Sequence, residues 1–218
     1  MIYDNGYLYC FYSDDTRDPD TSKGNPGPDQ IIVYRRSKDG INWESPVDVC
    51  SFAADWTGRP GMPVITKMGN GQFFLVYEYV HSGQDSYIYY KTTSDLSVWD
   101  PQDMGTRVEV KSGSKTYYPA AAPSCVWTPA GGTNGTLFVT GQYQVGGLSK
   151  SSLFVSRDYG KTWNTMENPL PNDNYSTHVE GYLGGYRSIM VLGKDKSVIH
   201  FINATSSTMM KYVTLKVN

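Results

Sequence analysis

Apolar residues in this 218-residue chain fall in short runs bounded by Gly, Asn, Asp and Pro, and no stretch holds an apolar face at helical spacing. The runs therefore predict strands and turns throughout. Three of them follow an Asn-Gly pair: DNGYLYCFY (4–12), GNGQFFLVY (69–77) and TNGTLFVTG (133–141). Asn-Gly between extended segments is a strong hairpin signal, because both central residues of a type I′ turn take positive φ. Gly6, Gly71 and Gly135 lie 65 and 64 residues apart, and GKDKSVIHF (193–201) repeats the turn and strand without the Asn-Gly. A second landmark recurs as SKDGINW (37–43), TSDLSVW (93–99) and SRDYGKTW (156–163), with leading residues 56 and 63 apart. Each unit thus reads as strand A, tight turn, strand B, longer loop, strand C, Asp-containing turn, strand D. In the second unit these strands are GMPVITK, QFFLVYEY, SYIYYKT and RVEV.

Four strands recurring about every 60 residues describe a propeller blade. The first unit keeps only residues 1–3 of its strand A, the second and third are complete, and the last stops after its third strand, MKYVTLKV. The expectation is one all-β domain over 1–218. It is a β-propeller of four-stranded antiparallel blades, incomplete at about three and a half blades and lacking its N-terminal ones.

Composition narrows the partners. A formal net charge of −2 argues against nucleic acid or an anionic membrane surface, both of which need a basic face. No apolar run approaches the roughly 18 residues that span a bilayer. MIYDNGYLYC has neither the basic nor the apolar region of a signal peptide. Eighteen Tyr and five Trp suit strands and also supply platforms for sugars. Cys10, Cys50 and Cys125 share no short spacing and read as small buried hydrophobes. His81, His178 and His200 are scattered singly, so no metal site is expected.

SRDYGKTW fits the Asp-box pattern S-x-D-x-G-x-T-W at every position, and SKDGINW is one residue shorter and lacks the Thr. In such turns Asp39 and Asp158 accept backbone N–H bonds, Gly40 and Gly160 supply left-handed backbone, and Trp43 and Trp163 pack against the blade. That role is structural. The motif marks sialidase-like propellers, which the chain resembles. TGRPGMPVITKMGNGQFFLVYEY (57–79), SCVWTPAGGTNGTLFVTG (124–141) and GGYRSIMVL (184–192) carry a narrower resemblance. Together they look like the C-terminal two-thirds of glycoside hydrolase family 93 exo-α-1,5-L-arabinanases. The resemblance covers essentially the whole chain.

It implies a six-bladed propeller that hydrolyses arabinan or a related plant polysaccharide from the chain end. It also implies retention of anomeric configuration, with two glutamates on different blades. Glu78 matches one of them, as acid/base or nucleophile. The other would precede Met1, so a carbohydrate-binding propeller without catalysis stays open beside the hydrolase. A sialidase-superfamily hydrolase of another glycan is the third reading. This chemistry needs no metal or organic cofactor. Secretion is expected from the substrate class, and the open strand edges predict self-association.

In an up-and-down blade the A–B and C–D turns share one end, and the B–C and D–A loops share the other. Loops on a rigid scaffold are the usual seat of function. Those near 13–29, 79–86 and 142–150, with those near 51–61, 111–121 and 168–185, form the second end. They bring Glu78 there between Tyr77 and Tyr79, at the end of an apolar strand. Arg59, in Gly-Arg-Pro-Gly, is a candidate to bind a sugar hydroxyl or position Glu78, with a structural ion pair as its alternative. Tyr186 is a candidate to stabilise developing oxocarbenium charge, and core packing is its alternative. Trp56 is a candidate sugar platform. Tyr79, Tyr118 and Arg187 are further candidates for substrate binding. Asp14 and Glu180 are the local candidates for a second carboxylate.

Overall fold

The computed structural model describes residues 1–16, 30–51, 58–81, 86–141, 143–145, 152–167, 189–204 and 210–218, which hold strands and turns and no helix. The first sheet is antiparallel: β1 (Ile2–Asp4), β2 (Tyr7–Asp14), β3 (Ile31–Ser37) and β4 (Val47–Cys50), in that order. The second contains β5 (Gly58–Lys67), β6 (Phe73–His81), β7 (Tyr87–Thr93) and the short β8 (Thr106–Arg107). A hairpin follows, β9 (Val110–Ser112) and β10 (Lys115–Ala120). The third sheet is built from β11 (Ser124–Thr128), β12 (Thr136–Thr140), β14 (Ser152–Ser156) and β15 (Asn164–Glu167), with β13 (Tyr143–Val145) in the excursion between β12 and β14. The last has three strands, β16 (Ile189–Leu192), β17 (Val198–Ala204) and β18 (Met210–Lys216). The sheets therefore follow the repeat, blade by blade.

One region departs from expectation. The segment 111–121 is a hairpin, turning at Gly113 with φ 61°, rather than an irregular loop. Its second arm, KTYYPA, is rich in strand-forming aromatics. That arm pairs with β13, setting Ala120 opposite Tyr143 and Tyr118 opposite Val145. Two loops from neighbouring blades are thereby sewn together at one end of the structure.

Strand alternation builds the seams between blades. On β6, Phe73, Leu75 and Tyr77 pack against Tyr9, Phe11 and Tyr34 of the first blade. The intervening Phe74 and Val76 pack against Leu137, Val139 and Phe154 of the third. Val126, Phe138 and Leu153 then meet Ile199 and Phe201 of the fourth. Each side chain in these seams is at most 8% exposed, so each contributes about 1.5–3 kcal/mol by leaving water. The Asp-box tryptophans fasten the same seams from the next blade. Trp99 lies 5.9 Å from Phe11, and Trp163 lies 6.0 Å from Phe74. The tryptophan thus packs on the preceding blade as well as sealing its own turn.

Lys91 adds a polar link. It is 5% exposed, and its ammonium donates to the carbonyls of Val49 (2.9 Å) in the first blade and Asp100 in the second. Cys50 beside it and Cys125 are buried free thiols, and Cys10 is half-buried. Burial pushes the Cys50 thiol up to about 12 against the opposing effect of Lys91, and burial also raises Cys125. Both behave as small hydrophobes.

Candidate functional site

Glu78 continues the side of β6 that carries Phe74 and Val76, and it lies between Gly61 of β5 and Ile88 of β7 in register. It is 7% exposed. Its Oε2 accepts the Ala122 N–H at 2.8 Å, and its Oε1 makes no hydrogen bond to any described residue. Ala122 belongs to a turn between β10 and β11 in which Ala121 and Ala122 take φ 54° and 43°. Left-handed backbone at a residue other than glycine costs of order 1–3 kcal/mol and persists where surroundings enforce it. Here the β10–β13 pairing and the Ala121 N–H bond to Ser86 (2.7 Å) enforce it. A backbone donor is thus aimed at a carboxylate 44 residues away.

The other side of Glu78 is fixed by a β-bulge. Between Gly61 and Val64 the β5 strand holds Met62 and Pro63 opposite Tyr77 alone. Met62 takes φ 53° and donates its N–H to Ser13 Oγ at 3.1 Å. Gln30 Nε2 donates to Pro60 O at 2.9 Å and fills the space a Cβ would need at Gly61. The first blade therefore holds the bulge, and the third blade holds the carboxylate.

The other candidates divide. Asp14, 8% exposed, is the last residue of β2, whereas Glu78 lies three residues before the end of β6. Its Oδ1 accepts the Thr16 N–H (3.0 Å) and hydroxyl (2.7 Å). Tyr79 is half-buried, edge-on to Tyr89 at 6.1 Å, and its hydroxyl lies where Gly58 would carry a Cβ. Arg59 is exposed opposite Val80, and no hydrogen bond or ion pair joins it to Glu78. Tyr118 has its ring 4.9 Å from Tyr87 and the Arg107 guanidinium 4.2 Å above it. Its neighbour Tyr117 packs into the seam between blades two and three. Trp56, Glu180, Tyr186 and Arg187 lie outside the described residues. The Ala121–Ala122 turn and Arg107 were missed by the sequence reading. A run of three alanines before Pro123 was the only trace of the turn.

A buried carboxylate with one oxygen fixed by a backbone amide thus stands at the loop end of the propeller's stacked four-stranded sheets. Solved structures agree. An α-L-arabinanase of Penicillium chrysogenum, solved with arabinobiose, superposes with a TM-score of 0.72 over 99% of this chain at 26% identity. The α-L-arabinofuranosidase of Fusarium graminearum from family 93, also with arabinobiose, gives 0.71 over 99% at 24%. A family 43 endo-arabinanase of Bacillus licheniformis gives 0.58 over 98% at 16%, a likeness of fold alone. The chain spans 56% of the length of each fungal enzyme and 69% of the bacterial one. No family profile and no curated protein matches the sequence. The chain is thus similar in fold to an α-L-arabinanase and to an α-L-arabinofuranosidase of glycoside hydrolase family 93.

Proposed function

We propose that the chain carries a retaining, exo-acting hydrolase site for arabinan or a closely related polysaccharide, with Glu78 as one of its two carboxyls. The supporting observation is the burial of Glu78 with Oε2 held by Ala122, in a fold shared with two enzymes solved with arabinobiose. Retention needs one carboxylate to attack the anomeric carbon and a second carboxyl, about 5–5.5 Å away, to protonate the leaving oxygen and then activate water. Fixing one oxygen by a backbone N–H leaves the other to meet substrate in a set direction. Asp14 and Glu180 are the local candidates for the second group. Arg59 and Tyr79 are proposed to bind sugar hydroxyls, as are Trp56 and Arg187, and Tyr186 to stabilise the oxocarbenium charge. Tyr118, beside Arg107, is proposed to bind substrate as well. Secretion goes with this substrate class.

Self-association belongs to the same proposal. Tyr3 (69% exposed) and Ile41 (80%) on the first blade, with Tyr212 (59%) on the last, are large apolar groups left uncovered. Light scattering should show species larger than the monomer, and a monodisperse monomer would remove this part.

The chemistry is tested by incubating the chain with short α-1,5-arabino-oligosaccharides and following anomeric protons by NMR. Arabinose or arabinobiose released first as the α anomer supports the proposal. Release as the β anomer overturns retention. Binding without turnover favours the binding-only propeller, and neither binding nor turnover overturns the arabinan reading.

A further inference from the structure

A cleft of about 620 Å³ lies between blades two and three, and Glu78 is not among its walls. It is lined by the outer strands of the second blade and by the Asp-box turn of the third. Tyr90 and Trp163 form its aromatic wall, with ring centres 6.1 Å apart and the Tyr90 hydroxyl bonded to Gly160 O at 2.7 Å. Four charged residues complete it: Arg107, Lys111 and Lys161 against the single carboxylate Glu109. That excess of cations stands out on a chain of net charge −2.

Glu109 is already shared, 3.2 Å from Arg107 Nη2 and 3.2 Å from Lys111 Nζ. The guanidinium is held in place over Tyr118 and Tyr87, at 4.2 and 5.0 Å. Its orientation is therefore set before any ligand arrives. Arg107 Nε and Trp163 Nε1 lie buried in this region with no hydrogen-bond acceptor among the described residues. Buried donors without acceptors are uncommon and costly, and an acceptor-rich ligand supplies what they lack.

We propose that this cleft is a second saccharide site, specific for an acidic sugar whose carboxylate sits against Arg107, Lys111 and Lys161 and whose ring lies along the Tyr90–Trp163 wall. The volume falls in the range of small-ligand sites. An oriented guanidinium is suited to a planar carboxylate, and aromatic walls suit sugar rings. The inference does not rest on the arabinan reading, and its test reads binding rather than turnover, so the two fail separately.

The test is a two-dimensional amide NMR titration of the full chain, at fixed ionic strength, with trigalacturonate, its methyl ester and arabinotriose. Lys161→Glu and Lys111→Glu change surface charges, and circular dichroism checks that both variants fold. Trigalacturonate should shift Gly160 and the Trp163 indole N–H, and bind at least tenfold more tightly than the methyl ester or arabinotriose. Either variant should weaken it at least tenfold, and Glu78→Gln should leave it unchanged. Equal binding of acid and ester, wild-type affinity in both variants, or shifts gathered around Glu78 would overturn the proposal. Displacement of the trimer by equimolar inorganic sulfate would show a plain anion site and overturn the saccharide claim.

Discussion

The two ends of the blades are made by different means. At the Asp-box end each turn is closed by its own side chains. Asp39 Oδ1 accepts from Ile41 and Asn42 at 2.8 Å, and Asp158 takes the Thr162 N–H at 2.9 Å and its hydroxyl at 2.6 Å. Ser37 and Ser156 complete the pattern with bonds to Gly40 and Gly160. Donor and acceptor there are two to four residues apart. At the opposite end the bonds that fix Glu78 and its bulge come from residues 30, 44 and 49 positions away. One end is solved locally and once per blade. The other is assembled from three blades around a single carboxylate.

Substitutions should therefore behave differently at the two ends. The largest effect short of removing the carboxylate is expected for Ala122→Val. A β-branched side chain at positive φ is strongly disfavoured, and displacing the turn withdraws the amide from Glu78. Arabinan turnover should fall at least tenfold, with about 2 kcal/mol lost in urea unfolding. Wild-type turnover in this variant would mean that Glu78 needs no support from the third blade.

Asp158→Asn should do the reverse, lowering stability by about 1–2 kcal/mol while leaving turnover per folded molecule intact. Its pH dependence follows from the carboxyl's surroundings. Burial pushes the Asp158 carboxyl up, but the bonds from Thr162 and Ser156 outweigh this and hold it below the usual carboxylate value. Asp39 is held lower by its bonds from Asn42 and Ile41. A carboxyl lowered in the folded state stabilises the fold fully above its unfolded value, near pH 4. That stabilisation is lost as pH falls towards the lower folded value. Wild-type stability should thus drop below about pH 4, and less steeply in Asp158→Asn. Identical slopes would mean that the turn's charge contributes nothing.

This contrast also explains what could be read from the chain. Ser156, Asp158, Gly160 and Trp163 form one turn within eight residues, so their pattern revealed both turn and repeat. Tyr77-Glu78-Tyr79 reads as a strand end, whereas β6 runs three residues further, to His81, because its pairing with Gly58–Pro60 of β5 is not a local property. Nothing local announces that Ala122 meets Glu78, that Ser13 bonds the bulge at Met62, or that Arg107 stacks on Tyr118. Those contacts exist only once the blades stack. The hairpin at 110–120 was hidden for a related reason, since its pairing partner β13 belongs to the next blade.

Smaller effects sharpen the comparison. Ser13→Ala removes one bond to the bulge and should cost about 1 kcal/mol with a few-fold rise in KM. Unchanged KM would make the bulge a purely structural feature. Ala122→Gly relieves backbone strain but adds freedom to the unfolded chain, so stability should stay within about 0.5 kcal/mol of wild type.

The most direct measurement compares linear α-1,5-arabinan hydrolysis by the wild-type chain and by Glu78→Gln. Gln keeps the side-chain shape and an acceptor for the Ala122 N–H, so the thermal midpoint should hold within a few degrees. Turnover should fall by about 10²–10⁴-fold or more. A stable variant that hydrolyses arabinan at the wild-type rate would contradict the assignment of Glu78 to the reaction.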